Sequence, residues 1–105
     1  THPGTHVHWG TGKGASALLK RNGRTLIEIY VGWGHVVFAK DPATLDAALG
    51  KAAARLWIDG LQQLLPEQMK MTKPTVRGSE PRLSDVLDLT RNVLRQADLV
   101  GQAPQ

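Results

Sequence analysis

His6, His8 and His35, three of the chain's four histidines, and the carboxylate Glu28 lie in one third of the chain. With Tyr30 they are the residues most suited to chemistry. Metal-independent RNA cleavage needs a base for the ribose 2′-hydroxyl proton, an acid for the leaving oxygen, and a cation for the phosphorane. Glu28 and His35 can serve as base and acid when held within reach of one phosphate. His6 or His8 offers a second imidazole. Lys13 and Arg24 are the cations for the phosphate, and Tyr30 can stack on a base or donate a proton. Lys20, Arg21 and Trp33 extend the set towards nucleic-acid contact, since exposed aromatics beside basic residues stack on unpaired bases. The plain alternative is a solvated sheet face carrying Glu28, Tyr30 and His35, which antiparallel sheets commonly have.

Two other chemistries use the same residues. In His6-Val7-His8 the imidazoles alternate along a strand and project from one face, a spacing used for zinc and other transition metals. His35, with Glu28 or Asp41, would complete such a site, and a set without cysteine leans towards a catalytic metal. Alternatively, these histidines are simply polar strand residues. Gly10-Thr11-Gly12-Lys13-Gly14 resembles a phosphate loop at first sight. It lacks the GxxxxGK[ST] spacing and leads into a strand, so no helix N-terminus stands behind the glycines and nucleotide triphosphate binding is rejected. The acid–base reading requires no cofactor.

These side chains depend on a meander. Asn22-Gly23 between two apolar runs is the strongest short-range hairpin signal, and Gly32-Trp33-Gly34 marks a second reversal. Residues 15–40 therefore read as three antiparallel strands, with Thr5 to Trp9 as a fourth. A two-residue loop at Asn22-Gly23 sets Leu19 opposite Leu26, Leu18 opposite Ile27 and Ala17 opposite Glu28. A loop at Gly32-Trp33 sets Tyr30 opposite His35 and Ile29 opposite Val36. Alternation then gives a core face of Leu18, Ile27, Ile29, Val31, Val36 and Phe38. The other face carries Ala17, Leu19, Leu26 and Val37 around Glu28, Tyr30 and His35. A slip of one residue at the second turn would move His35 into the core.

The rest of the chain reads as helical scaffold. Asp41-Pro42 opens a helix, with Thr44 as a competing cap. Leu45, Ala48, Leu49, Ala52 and Leu56 follow at helical spacing, and Trp57, Leu61, Leu64 and Leu65 continue the stripe. Gly60 marks a bend or break, and Pro66 ends the helix or starts a short turn through Met69. Met69 and Met71 read as gap-fillers. Residues 70–82 read as a connecting loop whose four basic residues form a second contact surface. A last helix runs from Leu83 to Val100, capped by Ser79 or Ser84. Its apolar stripe includes Leu83, Val86, Leu87, Val93, Leu94 and Ala97, with Asp88–Arg91 and Arg95–Asp98 as ion pairs. The expected fold is α+β: an N-terminal antiparallel β-meander of three to four strands, with two to three C-terminal helices packed on one face. One domain of 105 residues is expected, with a basic sheet half over 1–40, a helical half over 41–100 and a frayed tail over 101–105.

Charge separates the halves. Residues 1–40 hold five Lys or Arg against Glu28 alone, and residues 41–105 hold eight of each sign. The basic half favours an anionic partner, nucleic acid first among them, although a small surplus of charge also serves solubility. The absence of cysteine excludes disulfides and thiolate chemistry. No apolar run reaches the roughly 18–20 residues of a membrane span, so no membrane partner is expected. There is no signal-peptide pattern, and a start at Thr1 without Met suggests a piece of a longer protein.

The His-x-His strand at residues 6–8, the glycine-rich turn and the Asn-Gly hairpin resemble C-terminal nuclease toxin domains of bacterial polymorphic and contact-dependent inhibition systems. The likeness covers residues 5–40. Unlike much of that group, this chain puts its sheet before its helices. The resemblance implies delivery by a secreted bacterial protein, cleavage of tRNA or rRNA in the cytoplasm of a target cell, and an acidic immunity protein over the basic sheet. A small metal-independent ribonuclease is thus the leading expectation. A non-enzymatic nucleic-acid- or protein-binding module is the second. An enzyme with a metal on His6, His8 and His35 is the third.

Overall fold

Asn22 and Gly23 adopt φ values of 52° and 78°, the positive pair a type I′ turn requires. They join the central hairpin of a computed structural model that describes residues 5–9, 17–30, 32 and 34–101. Five strands, β1 (Thr5–Trp9), β2 (Ala17–Arg21), β3 (Arg24–Tyr30), β4 (His35–Phe38) and β5 (Thr75–Arg77), form one sheet in sequence order. Every neighbouring pair is antiparallel. Three helices, α1 (Pro42–Leu49), α2 (Lys51–Leu64) and α3 (Leu83–Gly101), accompany the sheet. The fold is α+β, as the order of patterns implies.

The register of β3 on β4 is the expected one: Tyr30 faces His35, Glu28 faces Val37 and Ile29 faces Val36. The register of β2 on β3 is not. A bulge lies between Leu19 and Lys20, so Leu19 faces Ile27, Leu18 faces Glu28 and Ala17 faces Ile29. Leu26 is the extra residue. The physical reason is the pair Leu26-Ile27: strict alternation would leave one of them on the open face, and the bulge lets both be buried. Leu18 consequently joins the open face beside Glu28. Ala17 and Leu19 turn to the apolar face.

Asp41 caps α1, its carboxylate accepting from the Thr44 backbone N–H and hydroxyl at 2.9 Å each. Thr44 therefore supports the cap rather than replacing it. The expected single long helix is broken at Gly50 and not at Gly60. Gly50 sits at φ 84° and ψ 160°, a region open essentially to glycine alone. The break rotates α2 so that Ala53, Ala54, Trp57 and Leu61 are buried, while Ala52 and Leu56 are exposed. Gly60 lies within α2 where it passes α3: a Cβ there would collide with the Leu89 side chain. Gly50→Ala is expected to cost about 1–3 kcal/mol. The cost is conformational, since nothing lies within 4 Å of the added Cβ. Urea denaturation measures it, and a variant as stable as the parent would contradict the assigned backbone.

After Pro66 a single 3₁₀ turn, Gln68–Lys70, buries Met69, while Met71 is exposed. The supposed loop that follows contains β5, which pairs its Thr75, Val76 and Arg77 with Val37, Val36 and His35. At the start of α3 neither Ser79 nor Ser84 makes a capping bond among the described residues; there Glu80 Oε2 accepts from the Arg82 backbone N–H at 3.1 Å. Trp57 is fully buried in the core, edge-to-face with Phe38, and its Nε1 donates to the Ala39 carbonyl at 2.8 Å.

The apolar face of the sheet is not covered along its whole width. Val7, Leu19, Ile29 and Val36 face Leu83, Leu87 and Thr90 of α3 across a cavity of about 490 Å³. The far end of α3 is tied down by charge. Arg21 Nη2 meets Asp98 Oδ1 at 2.8 Å, with the two side chains only 8% and 14% exposed, and Arg21 Nη1 donates to Thr5 Oγ1 at 2.8 Å. Asp98 thus serves β2 and not the expected Arg95, while Asp88–Arg91 forms as expected at 2.8 Å. Arg21→Met is expected to destabilise by about 2–3 kcal/mol, because it removes the cation paired with a largely dehydrated carboxylate. Arg21→Met with Asp98→Leu should recover most of that loss in thermal denaturation. A double variant no more stable than the single one would show that the pair is not the source.

Candidate active site on the open sheet face

The open face is built from rows that run across the strands. One row joins Leu18, Glu28, Val37 and Thr75 by register, and the next joins Tyr30, His35 and Arg77. Directly paired residues share a face of the pleat. Glu28, Tyr30, His35 and Arg77 are therefore neighbours on two adjacent rows of the same face. Glu28 and Tyr30 are half-buried, and His35 and Arg77 are exposed.

Tyr30 and Glu28 are joined directly. The Tyr30 hydroxyl donates to Glu28 Oε1 at 2.8 Å. This bond pushes the phenol above its ordinary pKa, and partial burial and the carboxylate's charge add in the same direction. Tyr30 is thus kept protonated, and its action is to fix the orientation of Glu28. A free phenolate base is not available at this position.

Glu28 sits in a depression of about 270 Å³ shared with Thr25, Val37, Lys40, Asp41 and Lys73. Lys40 is steadied there by donating to the Met69 carbonyl at 2.9 Å. His35 and Arg77 border a second depression, of about 440 Å³, with Gly34, Gly78 and Ser79. The two turns at that end are clipped together by the Gly78 N–H, which donates to the Gly34 carbonyl at 2.7 Å. Glu80 follows directly, but its carboxylate is engaged by Arg82 through side-chain contacts of 2.8 and 3.1 Å and a backbone N–H. Those bonds hold the Glu80 carboxyl down to about 2.

The expected site residues divide by position. Glu28, Tyr30 and His35 come together as the register of the second hairpin implied. Arg24 is exposed, but it begins the strand that Tyr30 ends, which separates their backbones by about 20 Å. It cannot share a phosphate with His35. Lys20 pairs with Thr25 near the same far end and is half-buried. Arg21 is buried in its ion pair with Asp98 and presents no cation to the surface. The backbones of His6 and His8 are in register with Lys20 and Leu18. Their side chains, with Lys13 and Trp33, lie outside the described residues, and so does the metal set of His6, His8 and His35. Among the described residues no three of His, Cys, Asp and Glu form a metal-binding group.

Arg77, expected only as one of four basic residues on the 70–82 loop, is the cation that register places beside His35. Its signal was slight: Thr75-Val76-Arg77 alternates polar, apolar, polar between Pro74 and Gly78, a strand of minimal length. Comparison with protein-family models, with curated proteins and with solved structures finds no match.

Proposed function

We propose that this chain cleaves RNA without a metal, with Glu28 and His35 as the acid–base pair of the open sheet face. One observation carries the reading: a carboxylate held by a tyrosine hydroxyl lies one row from an exposed imidazole, which is itself in register with an exposed arginine. In the proposed step Glu28 removes the proton of a ribose 2′-hydroxyl. The 2′-oxygen attacks phosphorus, and the bond to the 5′-oxygen breaks. Protonated His35 gives its proton to that oxygen. The products are a 2′,3′-cyclic phosphate and a free 5′-hydroxyl, and both transfers are general acid–base catalysis. Arg77 offsets the extra negative charge of the phosphorane. Lys40 and Lys73 border the depression that holds Glu28, and in this reading they attract the continuing backbone of a single strand.

The test is incubation of the protein with total tRNA and rRNA, with and without EDTA, read on a denaturing gel. Discrete fragments ending in cyclic phosphate, formed equally with EDTA present, are the expected result. Fragments that vanish with EDTA would overturn the metal-free mechanism. RNA left intact but retained in a low-salt shift assay would reduce the face to a binding surface. That second reading is favoured by the same run of Lys40, Lys73 and Arg77, and it predicts affinity that falls steeply with salt.

A further inference from the structure

We propose that the depression bounded by Gly34, His35, Arg77, Gly78 and Ser79 is a phosphate-binding site. The inference rests on the cleavage reading for its substrate class, since it names the group that His35 works beside. Its geometry stands on separate observations. The depression has a volume of about 440 Å³, room for a phosphate group with part of what it is attached to. Three of its bordering residues carry donors: the imidazole of His35, the guanidinium of Arg77 and the hydroxyl of Ser79. None of the three side chains has a hydrogen-bond or ion-pair partner among the described residues. A guanidinium with unused donors is suited to bidentate contact with a phosphate.

The surrounding charge points the same way. No carboxylate borders the depression. The carboxylate next along the chain, Glu80, is engaged by Arg82. That engagement leaves Arg77 as an uncompensated cation at the end of the sheet. The Gly78 N–H donates to the Gly34 carbonyl, so among the described residues these two glycines form a backbone wall of the depression between His35 and Arg77. An anion can approach that wall closely. Gly34 has φ 69°, a conformation that side chains disfavour.

Inorganic phosphate tests the site directly. Phosphate is titrated at constant ionic strength against chloride, with the backbone amides of Gly34, Gly78 and Ser79 and the His35 ring followed by NMR. Saturable shifts confined to these residues are expected. Arg77→Gln should weaken them about ten-fold or more, the loss of a charge-assisted contact. Arg24→Gln, at the far end of β3, should leave them unchanged. Absence of saturation, or equal weakening by both arginine variants, would overturn the site in favour of diffuse attraction. Ser79→Ala is the second probe, needed if Arg77→Gln loosens β5; unchanged phosphate binding in a folded Ser79→Ala variant would remove the hydroxyl from the site.

A 3′-mononucleotide that saturates the same amides at lower concentration than phosphate would assign the bound group to nucleic acid. Equal concentrations would assign it to free phosphate. Failure of this inference differs from failure of the cleavage reading. Phosphate binding without RNA cleavage leaves the site and removes the reaction. Cleavage with no saturable phosphate response leaves the reaction and removes the site.

Discussion

His35→Ala is expected to lower the rate of RNA cleavage by about 10²–10⁴-fold, with the fold intact. That factor is the usual contribution of a positioned general acid. His35 suits such an experiment because its side chain is exposed and its strand pairing with Tyr30 and Arg77 is made by backbone. Truncation removes no core contact. Glu28→Gln should fall by a similar factor, because the amide keeps the shape and still accepts the Tyr30 hydrogen bond but cannot take a proton. Tyr30→Phe separates positioning from proton transfer. It deletes the hydroxyl that holds Glu28 at 2.8 Å and leaves both exchanging groups in place, so a smaller loss in kcat at unchanged KM is expected. Single-turnover cleavage of a short oligoribonucleotide reads all three. A His35→Ala protein that cleaves at the parental rate would end the acid–base assignment.

The parts of this site that could be read in the sequence are those governed by local rules. Asn22-Gly23 has one favoured hairpin geometry, and the second reversal leaves Tyr30 opposite His35, so three of the site's residues fall on one face by alternation alone. The errors come from interactions remote in sequence. The bulge at Leu26 settles a competition between two adjacent apolar residues for one core, and alternation carries no term for it. Gly50 and Gly60 look alike inside a helical stretch. One is needed for its own backbone angles, the other for the close pass of Leu89 from a different helix. Arg21 reads as a surface cation because nothing near it in sequence is acidic, and Asp98 reads as the partner of Arg95 because i,i+3 spacing is visible and tertiary pairing is not. The place of Arg77 beside His35 is hidden for another reason. A strand of three residues between Pro74 and Gly78 has the composition of a loop, and only the free edge of β4 makes it a strand.

That dependence on remote packing makes Trp57→Ala the largest stability change expected in the chain. The indole is fully buried, packs edge-to-face on Phe38 with ring centroids 6.2 Å apart, and donates to the Ala39 carbonyl at 2.8 Å. Truncation removes a large apolar surface, leaves a cavity and strands that carbonyl. Such substitutions cost about 3–5 kcal/mol, and a domain of this size has only about 5–15 kcal/mol in total. A fall in Tm of about 15–30 °C follows. Trp57→Phe divides the effect: it keeps most of the packing and loses the N–H, so about 1–3 kcal/mol is expected for the unsatisfied carbonyl. The damage should also reach the site. Ala39 directly follows β4, the strand that carries His35, and the same strand pairs with β3 and β5, which carry Glu28 and Arg77. Amide hydrogen exchange in Trp57→Phe should therefore rise along β4 before it rises in α3. Equal protection of β4 in parent and variant would show that the indole holds the helices together without bracing the sheet.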